Sequence, residues 1–268
     1  MPNLSWMKEA AELLTEAANR PGIMSLAGLK AENDCRKDVA LYFKMLKVKV
    51  MGLHLERWTD RYPRKDEKEV GRHVAEMQVG QVVRRNTDYL QTVLRSNYEE
   101  AWQVAYKQTK IHEADSPLTV GPASGRLSQD AADYAAEQAA KQVVGINKTT
   151  VDAIADTVAN AIELQMSPAD LSRDLQDLLT GWTKDRADMV ARTEMAAAFG
   201  DAAVSRLSDD GIEYMQLILS PGACPICEDI ADDGPVRVSD GFAGGYDSSP
   251  IHPNCRCATV GSRPPAGE

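Results

Sequence analysis

The sequence predicts a mainly α chain that ends in a small β module, an α+β fold with an elongated helical body. Apolar residues recur at the i, i+3, i+4, i+7 spacing of buried helical faces over much of the first 210 positions. Aromatic residues make up only 6% of the chain, with three Phe, which suits helices packed through Ala and Leu better than a β-sandwich. Four of the five cysteines fall within the last forty-five residues, where turn-forming residues replace the helical period.

The 268 residues leave room for one large or two modest domains. At 43% apolar and 26% charged, the chain can bury a core and is not disordered. A net charge of −10 excludes non-specific coating of DNA or an anionic membrane. The N-terminus lacks the basic and apolar pattern of a signal peptide, and no run approaches the ~18 apolar residues of a membrane span. A reducing compartment is therefore expected, in which clustered cysteines hold metal more often than they form disulfides.

Residues 1–115 read as an N-terminal helical region. Val39, Tyr42, Phe43, Leu46, Val50 and Leu53 form one apolar face, and a second helix is expected over 82–110, with Val83, Leu90, Leu94, Ala101 and Ala105 in a stripe. The charged stretch 60–69, with Pro63, breaks the pattern between them. Residues 36–72 hold eleven Lys/Arg against six Asp/Glu, a local +5 that offers either a solvated face or a contact for nucleic acid or an acidic partner. Pro, Gly and Ser crowd 116–128, which reads as a linker.

A helical core follows over 129–210, acidic by sixteen carboxylates to seven bases over 130–213. Helices are expected over 130–144 and 150–165, the latter with Val151, Ile154, Val158 and Ile162 in phase. Ser167-Pro168-Ala169-Asp170 is a helix start: Ser caps, Pro suits the first helical position, and Asp170 favours the positive end. Leu171, Leu175, Leu178 and Leu179 give this helix its apolar face, with Gly181 as its stop, and an Ala-rich helix over 185–208 completes the core. Its Ala191-Arg192-Thr193-Glu194 sets a base and an acid two apart, so each needs partners elsewhere: solvent, or an ion pair against the C-terminal module.

From Gly211 the period changes. Strands are expected over 213–219, 235–238 and 257–260, forming a small β module over 211–260 before a loose tail, 261–268. Cys224-Pro225-Ile226-Cys227 turns two thiols towards one ion, and His252-Pro253-Asn254-Cys255-Arg256-Cys257 follows some twenty-five residues later. Five candidates, Cys224, Cys227, His252, Cys255 and Cys257, thus serve the four positions of a structural zinc: the first pair plus two of the other three. On an extended segment Cys255 and Cys257 point the same way and Arg256 the other. Metal binding of roughly 10–16 kcal/mol would hold together a module with little apolar content. Metal-free thiols and disulfides are the alternatives.

Catalytic readings find little support. His54-Leu55-Glu56 with a distant Cys-x-x-Cys imitates a zinc-deaminase signature, but Ala223 stands where that signature has Pro. No nucleophile elbow accompanies His73 or His112. Cys35 stands alone, as a small residue in a helical region.

Ser167-Pro168, Trp182, Ala191-Arg192-Thr193-Glu194, the Gly211 turn and strand, Cys224-Pro225-Ile226-Cys227, Asp233-Gly234 and His252-Pro253-Asn254-Cys255-Arg256-Cys257 together resemble the tailed-phage head-morphogenesis family, the Mu F-like minor capsid proteins. Gly145-Ile146-Asn147 through Thr150 resembles it too, so the likeness covers about 128–260. The sequence departs from the family at Met166, where Gly commonly precedes Ser-Pro, and in the Ser-rich stretch before His252, where Pro is usual. The resemblance implies a non-enzymatic virion protein of few copies at the portal vertex and inner head shell, acting in procapsid assembly. Portal protein or major capsid protein would be its partners and Zn(2+) a structural cofactor, with DNA contact secondary and no membrane. A DNA-contacting internal head protein, or a toxin or nuclease effector on the same scaffold, are the competing classes.

Overall fold

The computed structural model describes residues 26–61, 64–109 and 127–265. They form α1 (Leu26–Met51), α2 (Trp58–Arg61), α3 (Lys68–Arg84), α4 (Thr87–Gln108), α5 (Leu127–Glu163), α6 (Pro168–Gly181), α7 (Ala187–Asp209), β1 (Tyr214–Ile218), α8 (Pro225–Asp232), β2 (Val236–Arg237) and β3 (Ala258–Ser262). The fold is mainly helical with one small antiparallel sheet, ordered β2-β1-β3, as the sequence predicts. The expected linker over 116–128 lies outside the described residues up to 126, as does His112.

The chain divides into two compact units that interleave along the sequence. The first takes Met1–Cys35, Asn97–Tyr134 and Ala191–Glu268; the second takes Arg36–Ser96 and Ala135–Val190.

In the second unit, Val39, Tyr42, Phe43, Leu46 and Val50 of α1 are fully buried, as their spacing predicts. Leu53 falls in the turn beyond the helix end. The helix expected over 82–110 is two: α3 ends at Arg84, and α4 begins at Thr87. Asn86 sits at this break, accepting from Lys49 Nζ at 2.5 Å and donating to the Val82 carbonyl at 2.6 Å.

The two helices expected on either side of 145–149 are instead the single 37-residue α5. Gly145 does not interrupt it, because the next residues are fastened from several sides. Asn147 accepts from Tyr42 Oη at 2.7 Å and donates to Thr87 Oγ1 at 3.0 Å, while the Thr150 hydroxyl donates to the Ile146 carbonyl at 2.6 Å. Arg186 donates to that same carbonyl and lies over the Trp182 and Phe43 rings, 4.6 and 5.3 Å from their centroids.

Ser167 caps α6 as read from sequence, its Oγ accepting from the Asp170 N–H at 3.2 Å. Gly181 does not stop the chain: its backbone stays helical, and a single π-turn, Trp182–Arg186, carries α6 into α7. The wider turn brings Trp182 inward and puts Arg186 on the rings.

The first unit joins aromatic and alanine packing to the C-terminal module. Trp102 and Tyr106 stack 5.2 Å apart against Ala131 and Ala202, and Trp102 Nε1 donates to Asp201 at 2.8 Å. In the module, Leu207 of α7 packs with Met215 and Leu217 of β1, Ile230 of α8, and Phe242 and Ile251. Three cysteines, Cys227, Cys255 and Cys257, belong to that same apolar cluster. The cluster is larger than residues 211–260 supply alone, because α7 lends its end to it. Gly200 lets α7 approach Ser249 so closely that a Cβ there would stand 1.8 Å from the Ser249 carbonyl oxygen.

Candidate metal centre

Two local turns build the cysteine and histidine cluster. The first is the start of α8. Cys224 is its N-cap in extended conformation, and Pro225 takes the first helical position, where no N–H is needed. Cys227, one turn of chain later, returns its sulfur towards the same side.

The second is His252-Pro253-Asn254-Cys255. The Cys255 N–H donates to the His252 carbonyl at 3.1 Å, and Asn254 sits at φ 64°. Pro in the second place and a left-handed Asn in the third are the signature of a type II turn. The turn holds His252 and Cys255 at its two ends. Beyond it, Cys255 and Cys257 are buried and Arg256 points outward, the alternation expected of an extended segment.

The five candidate ligands fall into two overlapping groups. His252 Nε2 lies 3.2 Å from both the Cys224 and the Cys227 Sγ, and the Cys227 and Cys255 sulfurs are 3.7 Å apart. Cys224, Cys227 and His252 form one group able to hold an ion, and Cys227, Cys255 and Cys257 a second. Cys227 is common to both. Ligands at the usual ~2.3 Å metal–sulfur distance in a tetrahedron set sulfurs about 3.8 Å apart, so the 3.7 Å separation fits. All five cysteines are free thiols, Cys35 among them, buried in α1.

The histidine is oriented for ligation. Its Nδ1 lies 2.8 Å from the Pro253 carbonyl, which can only accept, so the proton is on Nδ1 and the Nε2 lone pair faces the thiols. The Cys227 backbone N–H beside it holds the Cys224 thiol below its usual value, whereas burial pushes the Cys227 thiol well up. A bound cation is what would make both thiolates stable together.

The outer shell explains Ala191-Arg192-Thr193-Glu194. Thr193 Oγ1 accepts from the Asn254 N–H, and Arg192 Nη1 donates to Asn254 Oδ1, both at 3.1 Å. Glu32 of α1 then grips Arg256 with both carboxylate oxygens, at 3.1 and 3.3 Å, and stands 3.7 Å from Arg192 Nε. The motif thus fastens the ligand turn to α7 by hydrogen bonds to Asn254, whereas the ion pair of Arg192 is with Glu32 of α1 and not with the C-terminal module. Glu32 carries no signal in the sequence, since an acid on an ordinary helix face announces no partner 224 positions away.

Glu194 turns away from the turn and accepts from Tyr98 Oη at 2.5 Å, buried. Burial raises its pKa to about 6, opposed by the Tyr98 hydrogen bond. A carboxyl raised from about 4.5 in the unfolded chain contributes stability that is complete below pH 4.5 and lost as pH rises through 6. Glu194→Gln keeps the acceptor and removes the charge. It is expected to flatten this window and to gain roughly 1–2 kcal/mol at pH 7, read from denaturant midpoints at pH 4.5 and 7.

His54 and Glu56 are 3.2 Å apart in the turn after α1 and belong to the second unit, whereas the cysteines belong to the first. Much of the basic excess over 36–72 is matched within the second unit: Lys68 meets Glu163 at 3.0 Å, Arg72 meets Asp156 at 2.8 Å, and Arg36 meets Asp188 at 3.4 Å. No helix among the described residues is long and apolar enough to cross a membrane.

Residues 152–260 match the family described as Phage Mu protein F like protein, in agreement with the resemblance carried by the motifs. The matched stretch contains every one of the five candidate ligands and the Arg192-Thr193 clamp. No curated protein and no solved structure matches the chain.

Proposed function

We propose that this protein is a minor capsid protein of a tailed phage that binds the portal or the inner capsid shell, supports procapsid assembly and is carried in the virion. The carrying observation is that the Mu F-like match and the Cys/His cluster coincide. We further propose that the cluster holds one structural zinc through Cys224, Cys227, His252 and Cys255. Cys224, Cys227 and His252 form one group, Cys255 joins it through Cys227 at 3.7 Å, and Cys257 has Ser220 Oγ as a neighbour at 3.8 Å.

The ion would tie the start of α8 to the 252–255 turn. Four protein ligands fill a tetrahedral shell and leave no position for an activated water, which favours a shaping role over catalysis. The module, fastened to α7 through Arg192 and Thr193, is a surface of fixed shape, as an assembly partner requires.

The reading is tested by mass spectrometry of purified procapsids and virions, in which this chain is expected in few copies with portal or capsid protein. Its absence from both would sink the assembly role. The metal is tested separately, by elemental analysis of protein purified under reducing conditions; well under one zinc per chain overturns it.

A further inference from the structure

In the second unit a shallow groove of about 380 Å³ opens beside α1. Arg36, Lys37 and Lys44 line it from that helix, with Thr183 and Lys184 from the π-turn and Asp188 from α7. Four cations face one carboxylate, and Asp188 is engaged with Arg36.

Several other bases of this unit have local partners. Lys47 donates to Thr180 Oγ1 and Lys49 to Asn86 Oδ1, and Lys68 and Arg72 reach carboxylates on α5. Lys44 and Lys184 have no such partner among the described residues. Two exposed ammonium groups lining one concavity without a counter-charge raise the local potential and favour an anionic ligand.

We propose that this groove binds backbone phosphates of duplex DNA. Arg36 and Lys44 are eight residues apart on α1, about 12 Å along the helix, which matches the axial rise of three to four phosphates on one strand at about 3.4 Å each. No aromatic side chain lines the groove, so it has no platform for the stacked bases of a single strand. Its only apolar lining is Ala40, too little for the buried core that a protein partner brings to an interface. The overall charge of −10 makes such contact weak and salt-sensitive.

The test is fluorescence anisotropy of a short labelled duplex with the full chain over a salt titration. The wild type is expected to give a slope of log K against log salt near −3, from about three neutralised phosphates. Lys44→Ala/Lys184→Ala should flatten it by about two, with helix content by circular dichroism and zinc content both unchanged. An unaltered slope in the double variant overturns the proposal. So does tighter binding of a single strand than of the duplex, or binding of poly-glutamate as tight as duplex at equal salt, which would assign the groove to an acidic protein. Neither the assembly role nor the metal enters this readout.

Discussion

Replacing Cys227 with Ser is expected to abolish zinc binding and to open the module over 211–260. This thiol belongs to both ligand groups and also lies in the apolar cluster with Met215, Leu217 and Ile251. The lost cross-link is of the order that holds small zinc modules folded, roughly 10–16 kcal/mol. Elemental analysis should fall from one zinc per chain to none, and limited proteolysis should begin to cut within 211–260. Cys257→Ser serves as the contrast. If the four ligands are Cys224, Cys227, His252 and Cys255, this variant keeps its zinc and loses only a buried thiol. Zinc loss in Cys257→Ser with retention in Cys224→Ser would reassign the shell to the Cys227, Cys255 and Cys257 group.

Gly200→Ala should destabilise the first unit by about 3 kcal/mol, although alanine is the better helix former. The added Cβ would lie 1.8 Å from the Ser249 carbonyl oxygen and 2.7 Å from Ser248 Oγ. Ser249 cannot easily retreat: its N–H donates to Thr259 Oγ1 at 2.8 Å, and its Oγ accepts from the Thr259 N–H at 3.2 Å. Gly145→Ala is the matched comparison inside α5, where a Cβ meets nothing within 4 Å. That variant should gain roughly 0.5–1 kcal/mol by restricting the unfolded chain. Denaturant midpoints of the two variants should therefore move in opposite directions. A Gly200→Ala midpoint equal to the wild type would refute the close approach of α7 to Ser249.

The contrast between these glycines shows where sequence reasoning stops. Gly145 and Gly181 are helix breakers by propensity, yet both lie in continuous helical backbone. At Gly145 the contacts of Asn147 and Arg186 outweigh a penalty of about 1 kcal/mol. Gly200, by contrast, stands unremarked at the end of an Ala run, and only the packed structure shows that nothing larger fits. Similarly, Arg192 and Glu194 could be read as needing distant partners, but nothing local marks Arg192 and Thr193 as the clamp on Asn254.

What the sequence determined alone is the local chemistry: the burial period of α1, the Ser167 cap, the two thiols of Cys224 and Cys227 turned to one side, and the alternation that buries Cys255 and Cys257 with Arg256 outward. Each depends on neighbours within a few positions, where backbone preference and side-chain spacing are enough. Tertiary structure decided which distant groups meet: Cys227 shared by both ligand groups, Glu32 on Arg256, Gly200 beneath Ser249, and Lys44 and Lys184 lining one groove. Those choices follow from how helices far apart in the chain pack together, and no local spacing encodes them.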